Sequence, residues 1–240
     1  MFDRICAVIV VVALCSGVAR AQDAAQGAQN LVGKDLTGWK LKNEKANLWK
    51  VAADVKVSQA KPKEFEVSGE AADAPILVND LKEKQHGSDI FTAQEFGDCE
   101  VHVELMVPKG SNSGVYLMGR YEVQILDSFG KKKPGTGDLG GIYNTKAPDA
   151  EGYAPKAPGE WQTLDIVFQA PRFDESGKKT ANAKFVSIKL NGKEIQKDVE
   201  APKPTGGELS SKEAPKGPLM FQGDHGPVAL RTVRVKEIGR

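Results

Sequence analysis

Residues Pro108 to Phe129 read PKGSNSGVYLMGRYEVQILDSF, and this stretch sets the fold class. A small polar turn, Ser111-Asn112-Ser113-Gly114, feeds an apolar run from Val115 to Met118. Gly119-Arg120 then joins it to a second run, Tyr121 to Leu126. In that second run Glu122 and Gln124 alternate with Val123 and Ile125, which is the period of a strand with one face buried and the other polar. Working outward, the same signal recurs. Val101, Val103, Leu105 and Val107 alternate with polar residues, and Leu164, Ile166 and Phe168 lie on one side of a further run. Phe185 to Leu190, Asn191-Gly192 and Lys193 to Ile195 read as a hairpin with a type I′ turn, because that turn needs positive φ at both central residues. Leu219 to Gln222 and Val228 to Val235 close the chain. Gly/Pro/Lys-rich loops separate the runs, and helix signals are scarce. The pattern predicts an all-β fold, a two-sheet antiparallel jelly-roll sandwich. The stretch from Val51 to Glu95 gives no clear period and reads as surface loops and short strands.

The N-terminus reads as an address. Arg4 supplies a positive start, Ile5 to Leu14 an apolar run and Ala19-Arg20-Ala21 a cleavage site, so residues 1–21 are expected to be a secretory signal peptide. The run is shorter than the ~20 residues of a membrane span. Residues 22–30 read as a short tether and 31–238 as one domain. Of 240 residues, 219 remain after cleavage, with 31 cationic and 31 anionic side chains. That balance excludes a generally basic nucleic-acid binder. The protein is expected to be exported to the periplasm or beyond, with no membrane span after cleavage. Cys99 is the one cysteine left, so no internal disulfide can form, and its acidic neighbours Asp98 and Glu100 make it a packing residue rather than a reactive thiol.

Two segments carry the chemistry. The first is the Glu122 strand, where Glu122, Gln124 and Asp127 are similar in spacing to the acidic strand motif of laminarinase-type sandwich glycosidases. In retaining enzymes of that kind two carboxylates flank the bond ~5–5.5 Å apart. Simple alternation turns Asp127 away from Glu122, and two acids on a solvent-facing strand are a common arrangement in themselves. The second segment is Met220 to Arg231, MFQGDHGPVALR, in which Gln222, His225 and Arg231 surround a Gly-rich turn. Histidine suits proton transfer near neutral pH and arginine suits holding an oxyanion or sugar oxygen. Glu104 and His102 share a strand face that could lie beside Glu122, although an ordinary outer face suits His102 better. No H-x-x-x-H, C-x-x-C or calcium-loop pattern is present, so the sequence argues for no metal site, while leaving open a divalent ion among Glu104, Glu122 and Asp127.

Taken together, the motifs resemble the 3-keto-disaccharide hydrolase family. The carrying elements are Leu31 to Trp39, Phe96-Gly97-Asp98, Asn112 to Val115, Tyr121 to Asp127, Gly140 to Tyr143, Gly159-Glu160-Trp161, Leu190-Asn191-Gly192, and Gln222 to Val228 leading into Arg231. Gln162 and Thr232 stand where family members often carry Asn. The resemblance implies a concanavalin-like jelly roll acting on glycosides whose C3 hydroxyl is already a ketone. It further implies C2 deprotonation, elimination of the anomeric group and water addition, with no cofactor required because a separate sugar oxidoreductase makes the ketone. Glu122 or Asp127 would be base or acid and His225 a proton donor. Gln124, Gln222 and Arg231 would bind sugar oxygens or the enolate, with Tyr143, Asn112 and Glu104 as further substrate contacts. Two other readings stand beside it: an ordinary glycoside hydrolase using Glu122 and Asp127, and a non-catalytic carbohydrate-binding module.

Overall fold

A computed structural model describes residues 28–71 and 73–239. The expected signal peptide and most of the expected tether lie outside the described residues. In chain order the strands are β1 (Gln29–Asn30), β2 (Trp39–Leu41), β3 (Trp49–Ala52), β4 (Asp54–Val57), β5 (Phe65–Ser68), β6 (Ile76–Asn79), β7 (Ile90–Phe96), β8 (Cys99–Met106) and β9 (Asn112–Leu117). They continue with β10 (Tyr121–Leu126), β11 (Gln162–Gln169), β12 (Arg172–Phe173), β13 (Lys179–Ala181), β14 (Ala183–Leu190), β15 (Lys193–Ala201), β16 (Gly217–Phe221) and β17 (Val228–Glu237). One 3-10 turn, Glu44–Ala46, is the sole helical element among the described residues.

Thirteen of the strands form two large antiparallel sheets, while β4–β5 and β12–β13 pair as separate two-stranded ribbons. The larger runs β15-β14-β11-β8-β17-β6-β3 with β1 added to β17, and the smaller runs β10-β9-β16-β7-β2. Alternation explains the sandwich. Cys99, Val101, Val103 and Leu105 of β8 and Tyr121, Val123 and Ile125 of β10 point into one shared core. Phe168 of the larger sheet packs against Tyr121 of the smaller one, ring centroids 5.5 Å apart, and edge-on to Phe185 at 5.2 Å. Aromatic pairs of this kind add ~0.5–1.5 kcal/mol beyond their buried area. Burial pushes the Cys99 thiol up to about 12, as expected of a packing residue. At the β14–β15 turn Asn191 and Gly192 take φ of 51° and 82°, the positive values a type I′ turn demands.

Two differences from the sequence expectation stand out. The tether's last residues form β1, because the Asn30 carboxamide accepts from the amides of Val32 and Val233 and so ties the segment to the sheet. The stretch from Val51 to Glu95 is also more regular than its composition suggests. It supplies β3 and β6 to the larger sheet and β7 to the smaller, while the β4–β5 hairpin covers part of the larger sheet's outer face. There Val55 and Phe65 pack on Ala52, Val78, Met106 and Ala229.

Candidate functional site

The site is built on the face of the smaller sheet that turns away from the core. Antiparallel register places Glu122 opposite Tyr116, Tyr116 opposite Met220, and Met220 opposite Phe91. Directly opposed residues share a face, so these side chains form one row across the sheet. Gln124 pairs with Gly114 in the next row. The Gln222 amide donates to the Gly114 carbonyl at 2.9 Å, which sets Gln222 beside them.

Glu122 is 2% exposed. Room for its carboxylate comes from Gly114, where an added Cβ would lie 2.2 Å from Glu122 Oε1. The strand belongs to the sheet's edge, and its backbone is satisfied by two loops. Thr205 Oγ1 accepts the Glu122 N–H at 2.9 Å, while Gln124 N–H donates to Gly141 O and Gly140 N–H to Gln124 O, both at 2.8 Å. Tyr143 N–H donates to the Glu122 carbonyl at 3.2 Å, which brings the half-exposed Tyr143 ring to the rim. Gln124 Nε2 donates to Asn112 Oδ1 at 2.6 Å.

Burial raises the Glu122 carboxyl to about 7, despite the Tyr116 hydroxyl that hydrogen-bonds it and the nearby His225, which both favour the charged form. Asp89 and Asp224 add to the upward push. Asp89 is held by Lys42 at 3.1 Å and accepts the Gly223 amide at 3.1 Å. His225 Nδ1 faces Asp224 Oδ1 at 2.5 Å, which leaves Nε2 as the nitrogen open to proton exchange. The turn that carries this pair is clamped from below. The buried Asn79 side chain donates to the carbonyls of Gly223 and Gly226 at 2.9 and 3.0 Å.

The structure thus brings together Glu122, Gln124, Asn112, Gln222, Tyr143 and His225. It sets the other three expected residues apart. Asp127 sits five residues along from Glu122, about 16 Å at strand rise. Its carboxylate is spent on the backbone amides of Gly110 (2.8 Å) and Phe129 (3.3 Å). Glu104 and Arg231 lie on the outer face of the larger sheet, on the far side of the core. There Arg231 pairs with both Glu104 oxygens at 3.0 and 3.1 Å and stacks over Trp161 at 4.7 Å, and the guanidinium holds the Glu104 carboxyl below its usual range. His102 is on that same face, paired with Asp165 at 2.6 Å. Glu104 therefore cannot join Glu122 and Asp127 around an ion. Among the described residues no cluster of three or more His, Cys, Asp or Glu could hold a metal. Conversely, Tyr116, Gly114, Thr205 and Asp224 were not singled out in the sequence. Tyr116 and Gly114 are readable in principle, since alternation from Asn112 puts both on the Glu122 face. Thr205 lies in a Lys/Pro/Gly loop with no signal of its own.

This placement makes a prediction. Arg231→Gln is expected to leave turnover within about twofold of wild type, while loss of an exposed ion pair and a cation–π contact, ~1 kcal/mol together, lowers the melting temperature by about 2–4 °C. Parallel kinetics and thermal melts check it.

The sequence matches the 3-keto-alpha-glucoside-1,2-lyase-like domain family over residues 27–236. The chain belongs to that family. No curated protein matches it. Among solved structures, a candidate glycosyl hydrolase from Parabacteroides distasonis ATCC 8503 is 27% identical, with a TM-score of 0.63 over 88% of this chain and 84% of that one. A second candidate glycosyl hydrolase from the same organism is 17% identical, with a TM-score of 0.57 over 91% and 97%, and attests the fold alone. Family membership marks the protein as a carbohydrate-active, hydrolase-like member of this fold.

Proposed function

We propose that the protein cleaves 3-keto-glycosides, with Glu122 as the base that removes the C2 proton. The observation that carries this reading is the buried Glu122 carboxyl at about 7, set beside Tyr116 and His225 on an outward sheet face. A base poised near the working pH combines a useful ionised fraction with driving force for proton transfer. A C3 ketone acidifies the C2–H bond. Glu122 takes that proton, and the electron pair moves into an enediolate on C2, C3 and the C3 oxygen. The enediolate then collapses and expels the C1 oxygen, which takes a proton from His225. Water next adds at C1 through neutral His225 as base, and Glu122, its carboxyl proton exchanged with water in the meantime, reprotonates C2 and completes net hydrolysis. In this reading the side-chain amides of Gln222 and Asn112 hold sugar oxygens, with Asn112 steadied by the hydrogen bond from Gln124. Tyr143 offers a ring to the sugar's C–H face. The ketone is supplied by a separate oxidoreductase, and the enzyme works outside the cytoplasm.

The Glu122/Asp127 pair that an ordinary glycosidase mechanism would use is not assembled here, because Asp127 is remote and bound to backbone. The test is to offer a β-glucoside and its 3-keto derivative. Cleavage confined to the keto form supports the proposal; equal cleavage of the unoxidised form, or binding of both without turnover, overturns it.

A further inference from the structure

Beside His225 lies a cavity of about 540 Å³ whose walls are rich in lysine. Lys61 and Lys63 come from the β4–β5 turn, Lys82 and Lys84 from the segment after β6, and Lys109 from the loop before β9. Asp224 and His225 form the wall shared with the Glu122 site. The backbone carrying the lysines is tied in place. Lys109 N–H donates to Pro62 O at 2.9 Å, Gln85 N–H to Lys82 O at 3.1 Å, and the Lys82 amide to Gln85 Oε1 at 2.8 Å. Ser111 Oγ bonds the Pro227 carbonyl at 2.6 Å and closes the floor.

The charges do not cancel. Glu64 is matched by Lys61 at 3.4 Å, and Lys82 turns to Asp80 at 2.6 Å. Asp224 is taken up by His225. Among the described residues that leaves Lys63, Lys84 and Lys109 with no acidic partner, against the single acid Glu83. A concave site with a surplus of one sign of charge concentrates ligands of the other. Its wall is the residue that protonates the departing oxygen, so what departs from C1 enters this cavity.

We infer that the cavity is a subsite for an anionic leaving group, a sugar or other aglycone bearing a carboxylate or sulfate. This inference rests on the proposed cleavage of 3-keto-glycosides. The test compares 3-keto disaccharides whose leaving sugar is glucose, glucuronate or glucose 6-sulfate. The expected result is a KM about tenfold lower for one or both anionic forms, with the advantage shrinking as salt is raised. Which of the two gains more identifies the anion. A Lys63→Gln/Lys84→Gln/Lys109→Gln variant should lose that advantage while its kcat on the neutral substrate stays unchanged. Equal KM values across the three leaving groups, or an advantage that survives in the variant, overturns the inference. If no keto substrate turns over at all, the cleavage proposal fails first. The cavity is then read by calorimetry with cellobiose and its glucuronate-ended and 6-sulfated counterparts: tighter anionic binding that the triple variant abolishes supports a subsite, and equal binding overturns it.

Discussion

Glu122→Gln is expected to lower kcat on a 3-keto-glucoside by about 10³-fold, within the range general-base removal produces, and at the same time to stabilise the protein above pH 7. Both effects follow from one group. The folded-state carboxyl stands at about 7 because it is buried, whereas an unfolded chain returns it to the ordinary value of 4.5. Between those two pH values the native state binds the extra proton, so stability falls as pH rises through the window. Below pH 4.5 both states are protonated and nothing is lost; above pH 7 the whole penalty, roughly 3 kcal/mol, is in force. Glutamine carries no charge and removes that slope. The ionised fraction of the base rises with pH through about 7, in the range where wild-type stability reaches its floor. Thermal melts of both proteins at pH 4 and pH 8, beside kinetics, check the pair of claims. Melting temperatures that shift in parallel would show that Glu122 is not a buried, uncompensated acid.

Gly114→Ala is expected to cost about 10²-fold in kcat with a melting temperature changed by no more than a few degrees. The added Cβ would meet Oε1, Cδ and Cγ of Glu122 at 2.2, 2.9 and 3.0 Å, so the carboxylate must swing away. Displacing a reacting group by about 1 Å can cost 10²-fold. Gly114 is not in the left-handed region, so alanine fits the backbone, and its smaller unfolded-state entropy offsets part of the crowding. Kinetics and melts on the purified variant measure both. A variant with full turnover would mean the notch does not position the base; a collapse in stability would mean Gly114 serves packing instead.

Much of this is legible in the sequence alone. Alternation in Tyr121 to Leu126 placed Glu122 and Gln124 on one face, and Asn191-Gly192 named its own turn. What failed did so for a physical reason. The segment from Gln222 to Arg231 reads as one motif, yet β16 belongs to the smaller sheet and β17 to the larger. The Gly-rich turn between them carries the chain from one layer to the other, and a bulge between Leu230 and Thr232 sets Arg231 outward. Linear nearness therefore separated Gln222 and Arg231 by the thickness of the core. Glu104 went astray in the same way: two sheets with a shared core turn their polar faces in opposite directions, and period-2 patterning cannot say which. Asp127 lies just past its strand, where a short acid caps nearby amides more readily than it faces a substrate. The β3–β6 pairing is set by long-range contacts that no local pattern announces.

The central claim is that Glu122 removes a proton from C2. The direct measurement follows the C2–H signal of a 3-keto-glucoside by NMR in D₂O with wild type and Glu122→Gln. The account predicts deuterium at C2 in the cleaved sugar made by wild type, and loss of both exchange and cleavage in the variant. Cleavage that leaves protium at C2, or exchange that proceeds equally in the variant, would contradict it.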